Sequence, residues 1–186
     1  MSKPREYTAD DPLLIQIIEH KPGDWTIEPH PKHHPKMNGR LKDPDKPGKT
    51  LKDRILDEWT ARHPTQSQPD FLDPAQPEHV PMIIREGEFV RIECDPSFPF
   101  EVWVEKNKKV DPDPGAPADP FGWNGSHRSV LAGGNITAAV LIPPVDVNGD
   151  PTEPGPRAQG FYKFRALVYP PGAAPILVDP DGYCDG

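Results

Sequence analysis

Hydrophobic residues and cysteines are both scarce in this 186-residue chain, and each shortage excludes a class of protein. Only 34% of the residues are hydrophobic, and no apolar run approaches the roughly 18 residues of a membrane-spanning helix. The N-terminal residues lead into an acidic stretch, so we expect no signal peptide and a cytoplasmic protein. In that compartment the two cysteines, Cys94 and Cys184, are expected to be free thiols.

Basic residues are outnumbered, with 21 Lys and Arg against 29 Asp and Glu, which gives a net charge of −8. Nucleic acids and anionic membranes attract an excess of positive charge, so we expect neither as a partner. Familiar catalytic signatures are also missing, including the Gly-x-Ser-x-Gly elbow, the phosphate-binding glycine loop and His-Glu-x-x-His. We therefore expect no cofactor and assign no catalytic residue.

Proline, in contrast, is abundant, with 28 residues, about three times its usual share of roughly 5%. Proline lacks a backbone N–H donor and is excluded from helix interiors and central strands. Its spacing nevertheless leaves proline-free windows that hold most of the periodic apolar residues. These windows are 13–21, 48–63, 82–95, 100–111, 121–142 and 157–169. The pattern predicts a folded protein with proline-stiffened loops.

Residues 1–81 are predicted to form an N-terminal arm, rich in proline and histidine, that packs on the rest of the chain. Asp11 before Pro12 fits the start of a helix, but the β-branched residues of 13–18 fit a strand equally well. We favour a strand that turns and pairs with residues 25–27. Residues 28–49 are predicted to be loop, because proline alternates there with His, Lys and Asp.

The best helix signal covers about 50–63. Thr50 and Asp53 form a capping-box pair, and Leu51, Ile55 and Trp59 recur at i, i+4 and i+8. A helix of this length is marginal alone, so its apolar stripe, including Trp59, is expected to dock on the core.

Residues 82–186 are predicted to be a β-sandwich domain, so that the whole protein is mainly β. Alternating apolar residues mark strands over 88–94, 100–105 and 161–169, with a short edge strand over 174–178. Residues 135–142 are nearly all apolar or β-branched and predict a strand buried on both sides. Short strands separated by Gly and Pro turns predict antiparallel pairing throughout, and 111–120 and 143–156 are predicted to be surface loops.

The opening segment 85–92, the segment 160–164 and the closing segment 177–182 resemble small cupredoxin-like or immunoglobulin-like β-sandwiches. The resemblance covers about half of the chain and implies fold only. A blue-copper site needs a cysteine, two histidines and a weak axial ligand. Cys184 is followed only by Asp185 and Gly186, so the resemblance implies a sandwich that lacks the copper-ligand motif.

One cluster has the residue types of a metal site: His30, His33 and His34, in the segment 30–36. Imidazoles at this spacing can ligate a transition metal together with a distant cysteine or carboxylate. The neighbouring Lys32 and Lys36 oppose cation binding and favour a solvated loop that contacts a partner or responds to pH.

Two tryptophans complete the candidate residues. Trp103 alternates out of phase with the apolar residues of its strand, so it either packs under the arm or is exposed to a partner. Trp123 is either an exposed aromatic anchor or a packing residue. We therefore expect a non-catalytic protein-interaction or assembly module that binds a protein partner through Trp103, Trp123 and His30, His33 and His34. The alternatives are a metal-binding accessory protein that uses the three histidines and an enzyme of unrecognised type.

Overall fold

The computed structural model describes residues 6–42, 48–69, 72, 80–107, 120–123, 125–142 and 160–185. These residues form a mainly β structure with two short α-helices. The strands are β1 (Leu13–Lys21), β2 (Asp24–Pro29), β3 (Ile83–Arg85), β4 (Phe89–Asp95), β5 (Phe100–Lys106), β6 (Arg128–Val130), β7 (Asn135–Ala139), β8 (Gly160–Val168), β9 (Ile176–Val178) and β10 (Asp181–Asp185). The helices are α1 (His34–Arg40), preceded by a 3-10 turn at Pro31–His33, and α2 (Leu51–Arg62). No helix in this part of the chain is long and apolar enough to cross a membrane.

The first sheet, sheet A, has the strand order β2-β1-β4-β7. β1 and β2 form an antiparallel hairpin, with Ile17 opposite Ile27, which confirms the strand alternative for residues 13–18. β1 also pairs with β4 in parallel, with Ile15 opposite Ile92, and β4 pairs with β7 antiparallel. The hairpin therefore belongs to the sheet and does not merely pack on it.

The second sheet, sheet B, has the order β3-β10-β8-β5-β6, and β9 pairs with the C-terminal part of β8. β3 and β10 are parallel, and the other pairs in this sheet are antiparallel. The prediction of antiparallel pairing throughout is therefore wrong for two pairs, β1–β4 and β3–β10. In both cases the partners are far apart in sequence, and the connection between them is a long crossover, which permits parallel pairing.

One hydrophobic cluster takes residues from both sheets. Sheet A contributes one set of alternating side chains from β1 and β4, and sheet B contributes another from β5 and β8. The fully or almost fully buried members include Leu13, Ile15, Ile17, Val90, Ile92, Val102, Val104, Phe164 and Ala166. Cys94 also lies in this cluster, as a small buried side chain.

α2 covers one half of the outer face of sheet B. Its capping box is formed, since Thr50 accepts the Asp53 N–H at 3.1 Å and Asp53 accepts the Thr50 N–H at 2.8 Å. Leu51, Ile55 and Trp59 then pack on a second apolar cluster with Ile83, Phe161 and Tyr183 of the sheet. The predicted helix and its docking stripe are confirmed.

Two local predictions are wrong. Residues 31–40, expected to be loop, form the 3-10 turn and α1, because Pro31 and Pro35 fall in first turns, where a helix needs no N–H. β7, expected to be buried on both sides, is a half-exposed edge strand, because sheet A ends there.

The division into an arm over 1–81 and a sandwich domain over 82–186 stays a prediction. β1 and β2, which precede residue 81, nevertheless supply two of the four strands of sheet A. The predicted loop 143–156 and most of 111–120 lie outside the described residues.

Arg40, at the end of α1, lies in the protein interior and meets acceptors from distant parts of the chain. It pairs with Glu88 through two hydrogen bonds, Nη2 to Oε1 at 2.6 Å and Nη1 to Oε2 at 2.8 Å. Its other N–H groups donate to the Glu6 carboxylate at 3.0 and 3.3 Å and to the Ile83 carbonyl at 2.5 Å. The Glu88 carboxylate also accepts the backbone N–H groups of Glu6 and Arg85, both at 3.0 Å. A buried ion pair is tolerated only when its remaining donors and acceptors are satisfied in this way.

The aromatic ring of Tyr7 lies against this ion pair. The Arg40 guanidinium carbon lies 5.1 Å from the centre of the Tyr7 ring, and the Phe89 N–H donates to the Tyr7 carbonyl at 3.2 Å. Burial raises the pKa of Tyr7 to about 12. Burial opposes the charge on Arg40, but the hydrogen bonds and charge of Glu88 outweigh it and raise the Arg40 pKa. The Arg40 guanidinium therefore stays charged at all ordinary pH values.

We expect Glu88→Gln to lower the free energy of unfolding by about 3–5 kcal/mol, because it leaves a buried guanidinium without its main counter-charge. Urea denaturation at neutral pH measures the change. Asp24→Ala is the matched control, since its 3.9 Å pair with Lys21 is exposed, and it should change stability by no more than about 0.5 kcal/mol. A loss of less than about 1 kcal/mol in Glu88→Gln would contradict the structural role of the pair.

Candidate functional site

The outer face of sheet B is divided between a covered half and a second half that carries polar and aromatic side chains. α2 lies over β3, β10 and the start of β8. On β5 and the rest of β8, residues alternate with the core members Val102, Val104, Phe164 and Ala166 and therefore point outward. We call this second half the β5–β8 face; its members are Glu101, Trp103, Glu105, His127, Lys163, Arg165, Leu167, Leu177 and Asp179.

Trp103 lies at the centre of the β5–β8 face. The His127 ring is stacked on its indole, with ring centroids 4.0 Å apart and ring planes 4° apart. The indole N–H donates to Glu105 Oε1 at 2.8 Å, and Arg165, directly opposite Trp103 on β8, donates to the same oxygen at 3.2 Å. Trp103 is only 8% exposed. It is therefore a packed residue covered by His127. The two expectations for Trp103, packing under the arm and exposure to a protein partner, did not include this contact.

Trp123 lies on the other side of sheet B, in the main core. It is 8% exposed, contacts Phe121 with ring centroids 5.0 Å apart, and has the Arg128 guanidinium 5.4 Å from its ring. The packing interpretation of Trp123 agrees with this position. Its role as a partner-binding residue stays a prediction.

His127 and Arg128 are neighbours at the start of β6, and each covers a different tryptophan. Successive residues of a strand point to opposite faces, so His127 lies on Trp103 outside the sheet and Arg128 lies on Trp123 inside it. Both covering residues are exposed. His127 and Arg128 therefore each lie against one indole, on opposite sides of sheet B.

Charged side chains surround Trp103 in a connected network. Lys163 lies 3.5 Å from a carboxylate oxygen of Asp179, and Arg165 bridges Asp179 at 3.6 Å and Glu105 at 3.2 Å. These side chains are between 25% and 39% exposed, so each pair alone contributes at most about 1 kcal/mol. The network mainly holds the charged groups in fixed positions around the indole.

Apolar side chains lie at one end of the same face. Leu177 is 59% exposed and stands directly opposite Leu167 in the β8–β9 ladder. Tyr169, just beyond β8, is 37% exposed and donates its hydroxyl to Glu101 at 2.5 Å. This hydrogen bond to a carboxylate raises the pKa of Tyr169. The face thus combines an apolar end, a covered indole and a polar surround.

The histidine cluster is held by hydrogen bonds to the backbone. His33 is buried, and its Nε2 accepts the Leu14 N–H at 3.2 Å. His30 Nδ1 accepts the Lys32 N–H at 3.1 Å, and His34 Nε2 lies 2.9 Å from the Pro29 carbonyl, to which it donates. The rings of His30 and His33 are 6.5 Å apart and nearly perpendicular. The hydrogen bonds of the three imidazoles therefore stabilise the turn between β2 and α1.

A small cleft lies beside this turn on the outer side of sheet A. Its volume is about 300 Å³, and its lining residues are Asp10, Asp11, Pro12, Leu14, Lys32, Arg91 and Glu93. Carboxylates and cations alternate around it, which does not select a ligand of one charge. Across the described ranges, no group of three His, Cys, Asp or Glu side chains is arranged to hold a metal ion.

The two thiols are free, as predicted, and both are buried. Burial raises the pKa of Cys94 to about 11 and that of Cys184 well above its usual value. A nucleophilic cysteine requires the opposite shift, toward the thiolate. Both residues therefore act as small core side chains.

Comparisons with known proteins give no family: no protein-family model matches the chain, and no curated protein matches it.

We expect His33 to have a folded-state pKa of about 4, because burial and the nearby Lys32 both disfavour its charged form. The unfolded chain, with an ordinary histidine pKa near 6.5, then binds the proton more readily than the folded protein. His33 thus contributes stability that is complete above about pH 6.5 and is lost as the pH falls toward 4. NMR titration of the His33 imidazole Cε1–H signal measures this pKa. A His33 midpoint near 6.5 would contradict this.

We expect His127→Ala to expose Trp103, because the alanine side chain cannot replace the stacked ring. Quenching of tryptophan fluorescence by acrylamide should increase, while the circular dichroism spectrum stays unchanged. Ser126→Ala changes the neighbouring exposed residue and should leave the quenching as in the wild type. Equal quenching in both variants would show that another group covers the indole.

Proposed function

We propose that this protein is a non-catalytic protein-interaction or assembly module and that the β5–β8 face is its contact surface. The observation that carries the proposal is the combination of exposed Leu177, the covered Trp103 and the surrounding ion network on one sheet face. Protein interfaces have an apolar core and a polar rim, with Trp, Tyr and Arg enriched. Trp103, Tyr169 and Arg165 supply those residue types around Leu167 and Leu177.

The charge of the surface favours a basic partner. The face carries three carboxylates, on Glu101, Glu105 and Asp179, against the two cations of Lys163 and Arg165, and the whole chain has a net charge of −8. Complementary charge steers a partner toward a surface and rejects partners of like charge. A protein with a positively charged rim around an apolar centre fits this face, whereas nucleic acids and anionic membranes do not.

At the level of fold, we propose a β-sandwich of the cupredoxin-like or immunoglobulin-like kind without a copper site. The shared core between sheets A and B supports a sandwich. The parallel β1–β4 pair differs from the wholly antiparallel immunoglobulin sheets and favours the cupredoxin-like alternative. Cys184, the C-terminal cysteine, points into the core. We place the protein in the cytoplasm, where two buried free thiols are kept reduced.

The metal-binding alternative would require the histidine turn to rearrange. His33 can bind a metal through Nε2 only if the partly buried Leu14 N–H loses its acceptor, which costs at most about 1–3 kcal/mol. The enzyme alternative stays without a named catalytic residue. Neither alternative gains support from a specific contact in the structure.

A photo-crosslinking amino acid at position 177 tests the interaction surface in living cells, because Leu177 is exposed and its replacement leaves the core intact. We expect cross-links to a defined protein, and we expect Leu177→Glu to reduce binding of that protein about tenfold or more. The same probe at Thr26, on the outer side of sheet A, is the matched control.

Equal cross-linking from positions 177 and 26, or full binding by Leu177→Glu, would reject the β5–β8 face as the contact surface. Deletion of residues 28–49 is not a usable test of partner binding. It removes Arg40 and would unfold the protein for reasons unrelated to a partner.

A further inference from the structure

In the part of the chain that the structure describes, β7 is an edge strand of sheet A, and its own residues have none of the features that protect other edges from pairing. Its sequence, Asn135–Ala139, contains no charged residue and no proline. β2, the opposite edge of the same sheet, carries Asp24, Glu28 and Pro29. The edge strands of sheet B, β3, β6 and β9, are three residues long, and β3 and β6 include an arginine each. Charge, proline and short length are the usual means of blocking edge-to-edge association.

The direction of the β7 backbone groups follows from two hydrogen bonds next to the strand. The Val140 N–H donates to Glu88 at 2.9 Å, and the Val140 carbonyl accepts from Gly87 at 3.1 Å, so residue 140 faces the β4 side. Because this direction alternates along an antiparallel strand, Asn135, Thr137 and Ala139 direct their N–H and C=O groups away from β4. Leu141 also points away, and its N–H is already bonded to the Pro120 carbonyl at 2.8 Å. The three residues have no strand partner on this side within the described ranges.

We propose that β7 pairs with β7 of a second copy of this chain, antiparallel across a two-fold axis at Thr137. In that register Thr137 faces Thr137, and Asn135 faces Ala139 of the other copy. All the outward N–H and C=O groups of the three residues then find partners. No charged residue meets a like charge within the paired strands, which matters because each copy carries a net charge of −8.

Two exposed apolar residues flank β7. Leu131, in the turn before β7, is 84% exposed, and Ile142, just after it, is 50% exposed. The two four-stranded A sheets would form one continuous sheet, an isologous arrangement.

This interface lies on the edge of sheet A and goes beyond the partner surface proposed on sheet B. Sedimentation velocity and light scattering over about 1 µM to 1 mM protein test it. The wild-type protein should change with concentration from the 20.7 kDa monomer to a dimer. Salt should strengthen the dimer, because it screens the repulsion between two acidic copies.

Thr137→Lys places two like charges opposite each other at the axis and should raise the dissociation constant by about tenfold or more. Thr137→Pro removes an outward N–H that the β4 ladder does not use, and should have the same effect. Thr26→Lys is the control: it adds the same charge to the same face on the other edge strand and should dimerise like the wild type. Near-ultraviolet circular dichroism checks that each variant is folded. If the Thr137→Pro variant does not fold, the Thr137→Lys variant alone tests the proposal.

A wild-type protein that stays monomeric over the whole concentration range overturns the proposal. The alternative partner of the β7 edge is then an extended segment of another protein. A dimer that persists in folded Thr137→Lys as in Thr26→Lys also overturns it, because the contact then lies elsewhere. Loss of the dimer only in the Thr137 variants establishes the β7 interface. The Leu177 variants distinguish this result from the partner-binding proposal, since they leave β7 unchanged.

Discussion

The buried ion pair between Arg40 and Glu88 is the constraint on which the arrangement of the rest of the chain depends. Its hydrogen bonds join α1 to the segment around Glu6, the Ile83 carbonyl of β3 and the turn that leads into β4. These four parts of the chain have few local reasons to meet. Taking a guanidinium and a carboxylate out of water costs several kcal/mol per ion, and only a geometry that satisfies every donor and acceptor offsets that cost. The pair therefore permits one arrangement and penalises others. It also orders a proline-rich segment whose own propensities are weak.

The alternation of side chains along each strand explains why the second half of sheet B is available as a contact surface. α2 buries the apolar half, where Phe161 and Tyr183 point outward. On the other half, no helix of the described residues lies over Trp103, and its indole is covered by His127 and bonded to Glu105 of the ion network. A large aromatic side chain on an outer strand face would otherwise be exposed to water. Covering it with side chains, and not with a secondary-structure element, keeps the face accessible.

How far the sequence predicts this structure depends on the range over which each signal acts. The α2 cap and stripe, the β1–β2 hairpin and the alternation of β4, β5 and β8 are local signals, and each is confirmed. The parallel β1–β4 pair is not local: its register depends on burial of Ile15 beside Ile92, far apart in the chain. α1 was not predicted, because a proline-rich segment indicates a loop. Pro31 and Pro35 nevertheless stand in first-turn positions, which accept proline. The stacking of His127 on Trp103 required the β5–β6 register, and the burial of Arg40 required a partner 48 residues away.

The two sheets differ in how their edges are closed, and the difference follows from where charge and proline lie in the sequence. In sheet B the edges are short, so few backbone groups are available to a neighbouring strand. In sheet A, β2 is long but carries two carboxylates and a proline. β7 has five residues and none of these features, yet it faces solvent on an otherwise acidic protein. An edge strand without charge or proline, on a chain with a net charge of −8, presents an uncharged segment to an incoming strand. The groups of β7 nearest to an incoming strand are backbone N–H and C=O groups. Backbone hydrogen bonding, and not net charge, therefore selects the partner at this edge.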